Sequence, residues 1–483
     1  MSRTFSTLLF IFLSVGWTTP LLSEEIRLPD MSDSSGMILS PEQERILGQQ
    51  LMRQFRRTLK IVDDQEIQAY VQSLGYRLLS HNSDNNGTPF TFFVINDPNI
   101  NAFAAPGGHI GINTGLIQAS LSEDELASVI AHEIAHITQR HLTRSIEKYQ
   151  KLNIPNIAAL IATLILSAQT GNPQLAQAAM MSAQAGALQA QLNFSRAHEY
   201  EADRVGMGTL AKAGFDPRGM PQFFERLQNA SRYRGNPQEF LSTHPVTTSR
   251  IADSRNRAEQ YPEKKGINSF DYELIRIKIQ LMHENDPSKS IRTFSTLLEQ
   301  KQYSNESATR YGYANALINN GQYKQARAQI KQLLNQDRER IAFIITKAKL
   351  DMAEQKYSDA QTELERGLKI YPYNAPLVYA LVDTLMKTAG YKKAINLLQK
   401  QILHTPDIPE LYNLLADAEG KSGHKYKAHE ALAEYYYLNG ETGSAIEHLK
   451  FARKEKNMDF YRASKLEARL KQFESEYAME RSN

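Results

Sequence analysis

Residues 129–136 read Val-Ile-Ala-His-Glu-Ile-Ala-His, which places His132 and His136 four residues apart. On a helix that spacing puts both imidazoles on one face, within reach of a single cation. Glu133 stands one residue further round, toward the cation's open side, where a carboxylate can take a proton from a bound water. The bare pattern also fits an amphipathic helix with two buried, ordinarily satisfied histidines. Further along, residues 195–203 read Ser-Arg-Ala-His-Glu-Tyr-Glu-Ala-Asp. A helix here sets Glu199 and Asp203 on a shared face. Two imidazole nitrogens and one carboxylate oxygen make three protein ligands and leave a fourth tetrahedral position for water or substrate, the open form of a catalytic zinc site. Asp203, one turn beyond Glu199, suits the second ring N–H of a ligating histidine. Glu199 is taken as the ligand because it pairs with Asp203, and Glu201 is the fallback. Without the histidines upstream, the segment would read as a surface helix with alternating acids.

These groups need elements to hold them. Ser122-Glu123-Asp124-Glu125 has the form of a capping box, launching a helix whose apolar side carries Leu126, Val129, Ile130 and Ile137. Ser40-Pro41-Glu42-Gln43 starts an earlier helix in the same way, with Pro at a tolerated first position. A second helix is expected from about Asp64 to Ser80. Phe90 to Ile95 reads as a buried strand, and after Pro106-Gly107-Gly108 a second extended segment runs from His109 to Asn113. Residues 155–192 are apolar, then rich in Ala, Gln and Met around Gly171-Asn172-Pro173. They suit a helical hairpin packed on its own domain; the alternatives are a flap or a segment lying at a membrane surface.

Beyond Tyr261-Pro262-Glu263-Lys264-Lys265-Gly266 the pattern is helical and repeats. Tyr323, Tyr357 and Tyr391 recur 34 residues apart, each followed three residues later by Ala326, Ala360 or Ala394. Ala428 continues the series with Lys425 in place of the aromatic, and Pro372 and Pro406 share the interval. Small Ala lets paired helices approach, Tyr fills the space beside it, and Pro closes the unit, which is the tetratricopeptide period. Residues 272–300 form a degenerate earlier repeat, and Glu434 to Ala452, turning at Gly440, add one more helix pair.

The 483 residues exceed one ordinary domain, and 41% hydrophobic with 23% charged residues mark a globular chain. Lys and Arg number 56 against 53 Asp and Glu, leaving +3 with no long basic run, so nucleic acid is not an expected partner. Cysteine is absent, which excludes disulfides, thiolate ligands, a Cys nucleophile and a lipid-modified Cys. Arg3, the apolar run Phe5 to Trp17 and the small Ser23 before Glu24-Glu25 read as a secretory signal peptide cut after Ser23. An uncleaved anchor is the alternative, though the run is shorter than the roughly 20 apolar residues that span a bilayer. In a Gram-negative bacterium the mature chain would be periplasmic.

His132-Glu133-x-x-His136 followed by Glu199-x-x-x-Asp203 resembles the zinc metallopeptidases that include the CAAX prenyl endopeptidases and the bacterial heat-shock membrane protease. The resemblance implies one Zn2+ per chain on His132, His136 and Glu199, with Glu133 as catalytic base. It implies an active-site edge strand at Gly108, His109, Ile110, Gly111, Ile112 and Asn113, along which an extended substrate adds with little sequence preference. His244, in Ser242-Thr243-His244-Pro245, reads locally as a solvent-facing loop residue; in similar proteins a histidine of a matching loop occupies the metal's open position and holds the enzyme inactive. His109, His141 and His198 receive no role, His141 falling off the metal-facing side of a continuous helix.

The expected fold is mostly α. Residues 1–23 are the signal peptide, 24–262 a zincin-like metallopeptidase domain of helices plus a small sheet, 263–455 an all-α tetratricopeptide solenoid, and 456–483 a charged helical tail. For a secreted chain of this build, the resemblance implies quality control of outer-membrane proteins. The peptidase would cut unfolded or stalled chains and the repeats would recruit them, or the outer-membrane β-barrel assembly machinery, with peripheral membrane contact as an accessory. The competing reading is a chaperone or adaptor with a residual or repressed zinc site. An integral prenyl-type protease is disfavoured because its long apolar segments are missing.

Overall fold

The computed structural model describes residues 40–84, 87–146, 196–234, 239–264, 268–455 and 458–481. The expected signal peptide and the segment 155–192 lie outside the described residues. Helix α1 (Pro41–Thr58) opens with Ser40 and Gln43 capping reciprocally, and α2 (Gln65–Leu79) with Asp64 accepting from Glu66 and Ile67. Three short strands follow: β1 (Thr91–Ile95), β2 (Ala102–Ala105) and β3 (His109–Asn113). Next come α3 (Thr114–Ala119), α4 (Glu123–Thr138) and α5 (His141–Ile146). The capping box expected at Ser122 forms by half: Ser122 accepts from the Glu125 N–H, while the Glu125 carboxylate turns to the Leu121 N–H and to Arg226.

The sheet has the order β1-β3-β2, with β3 parallel to β1 and antiparallel to β2. This corrects the expectation that Gly108–Asn113 is an edge strand. His109, Ile110, Gly111, Ile112 and Asn113 are paired on both sides, and their backbone groups are already used. The outer strands are β1 and β2, and β2, with the sequence Ala-Phe-Ala-Ala, has little intrinsic strand preference and forms through its partner. Gly107 and Gly108, at φ 78° and 84°, turn β2 into β3. At Gly108 a side chain is excluded, since a Cβ would come within 1.9 Å of the Pro89 carbonyl oxygen.

After the undescribed stretch, α6 (Arg196–Lys212) lies along α4, followed by α7 (Gly219–Arg234), the short α8 (Glu239–Thr243) and α9 (Thr248–Ala258). Leu126, Ile130 and Ile134 of α4, Ile110 and Ile112 of β3, and Met207 and Leu210 of α6 share one core. α10 (Phe270–His283) begins the repeats, and its Tyr272, Ile275 and Ile279 belong to that same core.

Helical pairs continue to α20 (Thr442–Ala452) and the final α21 (Phe460–Arg481). Tyr323, Tyr357 and Tyr391 each open the second helix of a pair, and Ala326, Ala360 and Ala394 are fully buried where the helices meet. In α21, Leu466, Leu470 and Phe473 are buried in a cluster with residues of α20. Among the described residues no helix is long and apolar enough to cross a membrane.

A candidate metal centre between two helices

His132, Glu133 and His136 are all buried on α4, and Glu199 and Asp203 are buried on α6. The two helices approach closely because α6 carries Gly206 at the crossing, where a Cβ would meet the His132 backbone N at 3.0 Å and the Ala131 carbonyl at 3.1 Å. That approach brings Glu199 across to the histidines. His132 Nε2 and His136 Nε2 are 2.9 Å apart; Glu199 Oε2 lies 3.6 Å from the first and Glu199 Oε1 3.5 Å from the second. Glu201, the fallback, turns away to His141 and Arg144.

His244 joins this group. It is 1% exposed, so the local reading as a solvent-facing residue is overturned by tertiary packing. Its ring stacks on buried Phe240, with centroids 4.8 Å apart, and its backbone N–H donates to the Phe240 carbonyl. His244 Nδ1 stands 3.4 Å from His132 Nε2 and 3.1 Å from Glu199 Oε1. Ligand atoms of His132, His136, Glu199 and His244 all fall within 4.8 Å of one another. Bonds of roughly 2.0–2.1 Å in a tetrahedron separate ligand atoms by about 3.3 Å, so this spacing fits a four-coordinate metal ion. Three imidazoles and a carboxylate are donors of the kind zinc accepts.

Glu133 flanks the group. No side chain among the described residues donates a hydrogen bond to its carboxylate; the Ala104 backbone N–H points toward it, and His244 Nε2 is 3.5 Å away. Burial raises its pKa, against the pull of nearby His244 and His132. Asp203 Oδ1 lies 3.0 Å from His132 Nδ1. Burial disfavours a charge on His132, but Asp203 and Glu199 outweigh it and push its pKa up to about 10; burial and charged His132 hold His136 well below the ordinary value.

Two groups escaped the sequence reading. Arg250 of α9 is fully buried, donates through Nε and Nη2 to both oxygens of Asp203, and places Nη1 2.7 Å from Glu199. Burial opposes the Asp203 charge, yet His132 and Arg250 bring its pKa down. Nothing in Thr247-Thr248-Ser249-Arg250 distinguishes this arginine from a surface one. His141 was also missed: its Nδ1 is 2.8 Å from His136 Nδ1. α4 stops at Thr138 although Gln139-Arg140 contains no Gly or Pro breaker, so no local signal marked the turn.

The model of peptidase family M48 matches residues 65–258, and that of the tetratricopeptide repeat matches 281–350 and 351–418. The chain is 32% identical to the β-barrel assembly-enhancing protease of Escherichia coli (strain K12), covering 95% of this chain and 94% of that protein. It is 32% identical to the protein of the same name from Yersinia pestis, covering 94% and 93%. It is 37% identical to the mitochondrial metalloendopeptidase OMA1 of Schizosaccharomyces pombe over 35% of this chain and 46% of that protein.

Proposed function

The chain belongs to peptidase family M48, with the β-barrel assembly-enhancing proteases, and is a metalloprotease; from that premise we propose that it is a periplasmic zinc endopeptidase that removes misfolded or stalled outer-membrane proteins. The observation that carries this reading is the convergence of His132, His136 and Glu199 on one point with Glu133 beside it. In this reading the three hold zinc, Asp203 takes the Nδ1 proton of His132, and Glu133 is the base. A bound zinc ion supplies Lewis-acid polarisation and an acidified water. Glu133, beside the three ligands, accepts the water proton and returns it to the leaving amine. The extended substrate adds along β2, the edge nearest Glu133, in place of Gly108–Asn113. The tetratricopeptide array recruits the substrate or the β-barrel assembly machinery, since such solenoids bind peptides and partners and do no chemistry.

His244 occupies the place where a fourth ligand belongs, and must leave before a carbonyl can enter. That position favours a second reading, a chaperone or adaptor whose peptidase site is held shut. Glu133→Gln separates the two. It should cut turnover of an unfolded outer-membrane protein by about 100- to 10,000-fold while zinc content, lost in a His136→Ala control, stays stoichiometric. Complete rescue of a null strain by Glu133→Gln would favour the adaptor.

A further inference from the structure

The two histidines of α4 are supported differently. His132 has a carboxylate behind it, whereas His136 has another imidazole. α4 ends at Thr138, and Arg140, at φ 53°, takes the left-handed conformation that side chains rarely adopt. Its guanidinium is fastened to Glu44 at 2.8 Å. This turn swings His141, the first residue of α5, back beneath His136. His141 is fully buried, its ring lying flat against His198 with centroids 4.5 Å apart and an interplanar angle of 9°. Its Nδ1 is 2.8 Å from His136 Nδ1, and its Nε2 is 3.1 Å from Glu201, which Arg144 holds from the other side at 2.8 Å.

The protons can be placed by elimination. His136 Nε2 faces His132 and Glu199, and to ligate a metal it must carry no proton. The proton of the neutral ring is then on Nδ1. Two nitrogens 2.8 Å apart share one proton, so His141 Nδ1 accepts. The proton of His141 therefore sits on Nε2, where Glu201 accepts it. Each contact is satisfied in one direction only.

Building on the proposed metal site, we propose that His141 is a positioning residue for it: backed by Glu201, it locks His136 in the Nδ1–H tautomer that presents Nε2 to the ion. Glu201, the rejected ligand, thereby acts one step behind the metal. Outer partners of this kind are worth 10- to 100-fold in metal affinity.

The test uses the full mature chain, zinc and a competing chelator, with imidazole 15N spectra as the readout of tautomer. His141→Leu keeps bulk but removes the acceptor, and should weaken zinc about 10- to 100-fold. His141→Asn, whose Oδ1 can accept in place of Nδ1, should recover most of that loss and keep the His136 proton on Nδ1. Equal affinities for Leu and Asn would mean the ring only fills space, and would overturn the proposal. Should His141→Leu fail to fold, Glu201→Gln decides from a partly exposed position: weaker zinc and a mixed His136 tautomer support it, native values overturn it. Loss of zinc in His136→Ala beside unaffected His141 variants rejects this inference alone; retention of zinc in His136→Ala rejects the metal site beneath it.

Discussion

Arg250 shows how much one side chain can decide in a buried polar site. It is clamped by Asp203 on one edge and lies against Glu199 on the other, so its guanidinium, together with the His132 ring, offsets two buried carboxylates. Removing one member of such a cluster leaves charge uncompensated in a dry interior, which costs about 3–5 kcal/mol. Arg250→Leu should therefore lower the stability of the metal-free protein by that amount in urea unfolding. Arg250→Lys keeps the charge but not the planar fork, and should fall between. A native unfolding midpoint for Arg250→Leu would show that the two acids are neutralised some other way.

At the scale of elements, the proposed control of access lies in the loop after α8 and the strand β2. His244 is held by Phe240, whose N–H donates to the Ile100 carbonyl just before β2. His244→Ala leaves Glu133, His132, His136 and Glu199 untouched and should raise proteolysis of an unfolded substrate several-fold. Unchanged or lower turnover would mean that His244 is not a brake. For β2, the Asn113 N–H donates to the Asn101 carbonyl, so by alternation Phe103 is bonded to β3 while the amides of Ala102 and Ala104 face outward. The outward N–H of Ala104 points toward Glu133 and helps to lower the carboxyl pKa that burial raises. Ala104→Pro deletes an N–H that the sheet does not use. It should reduce kcat/KM for an extended substrate by about fivefold or more, the worth of one hydrogen bond of roughly 1 kcal/mol, with zinc content unchanged. Equal kcat/KM would move substrate binding off this edge.

Across the whole molecule, the solenoid is not an appendage. Its first helix supplies Tyr272, Ile275 and Ile279 to the peptidase core, and Tyr272 donates to the Ser120 carbonyl ahead of α4. Its far end returns to α1: Arg53 pairs with Glu476 at 3.1 Å and lies over the Tyr437 ring. Arg56 donates to the carbonyls of Leu438 and Asp407. Burial lowers the Arg56 pKa to about 10, so this cation depends on those acceptors. Arg56→Ala should destabilise the chain by about 1.5–3 kcal/mol in denaturant unfolding. An unchanged midpoint would make the contact incidental. Because both ends of the array are seated on the peptidase, anything bound by the repeats is held at a fixed bearing to α4.

Much of this was local enough to be legible in the chain. Helical spacing alone puts His132 and His136 on one face with Glu133 beside them, because 3.6 residues per turn is a property of the backbone. The 34-residue interval of Tyr and Ala does the same for the repeats, each unit packing on its neighbour. What required tertiary structure was every partner chosen across the fold. Whether Glu199 or Glu201 faces the histidines depends on how α6 rolls on α4 at Gly206. The edge passed from His109–Asn113 to Ala102–Ala105 because pairing, not propensity, made β2 a strand. His244, Arg250 and His141 arrive from loops and helix ends that short-range rules leave undirected. Burial then fixed their charges and contacts, since in a water-free interior each polar group must find its counterpart in another part of the chain.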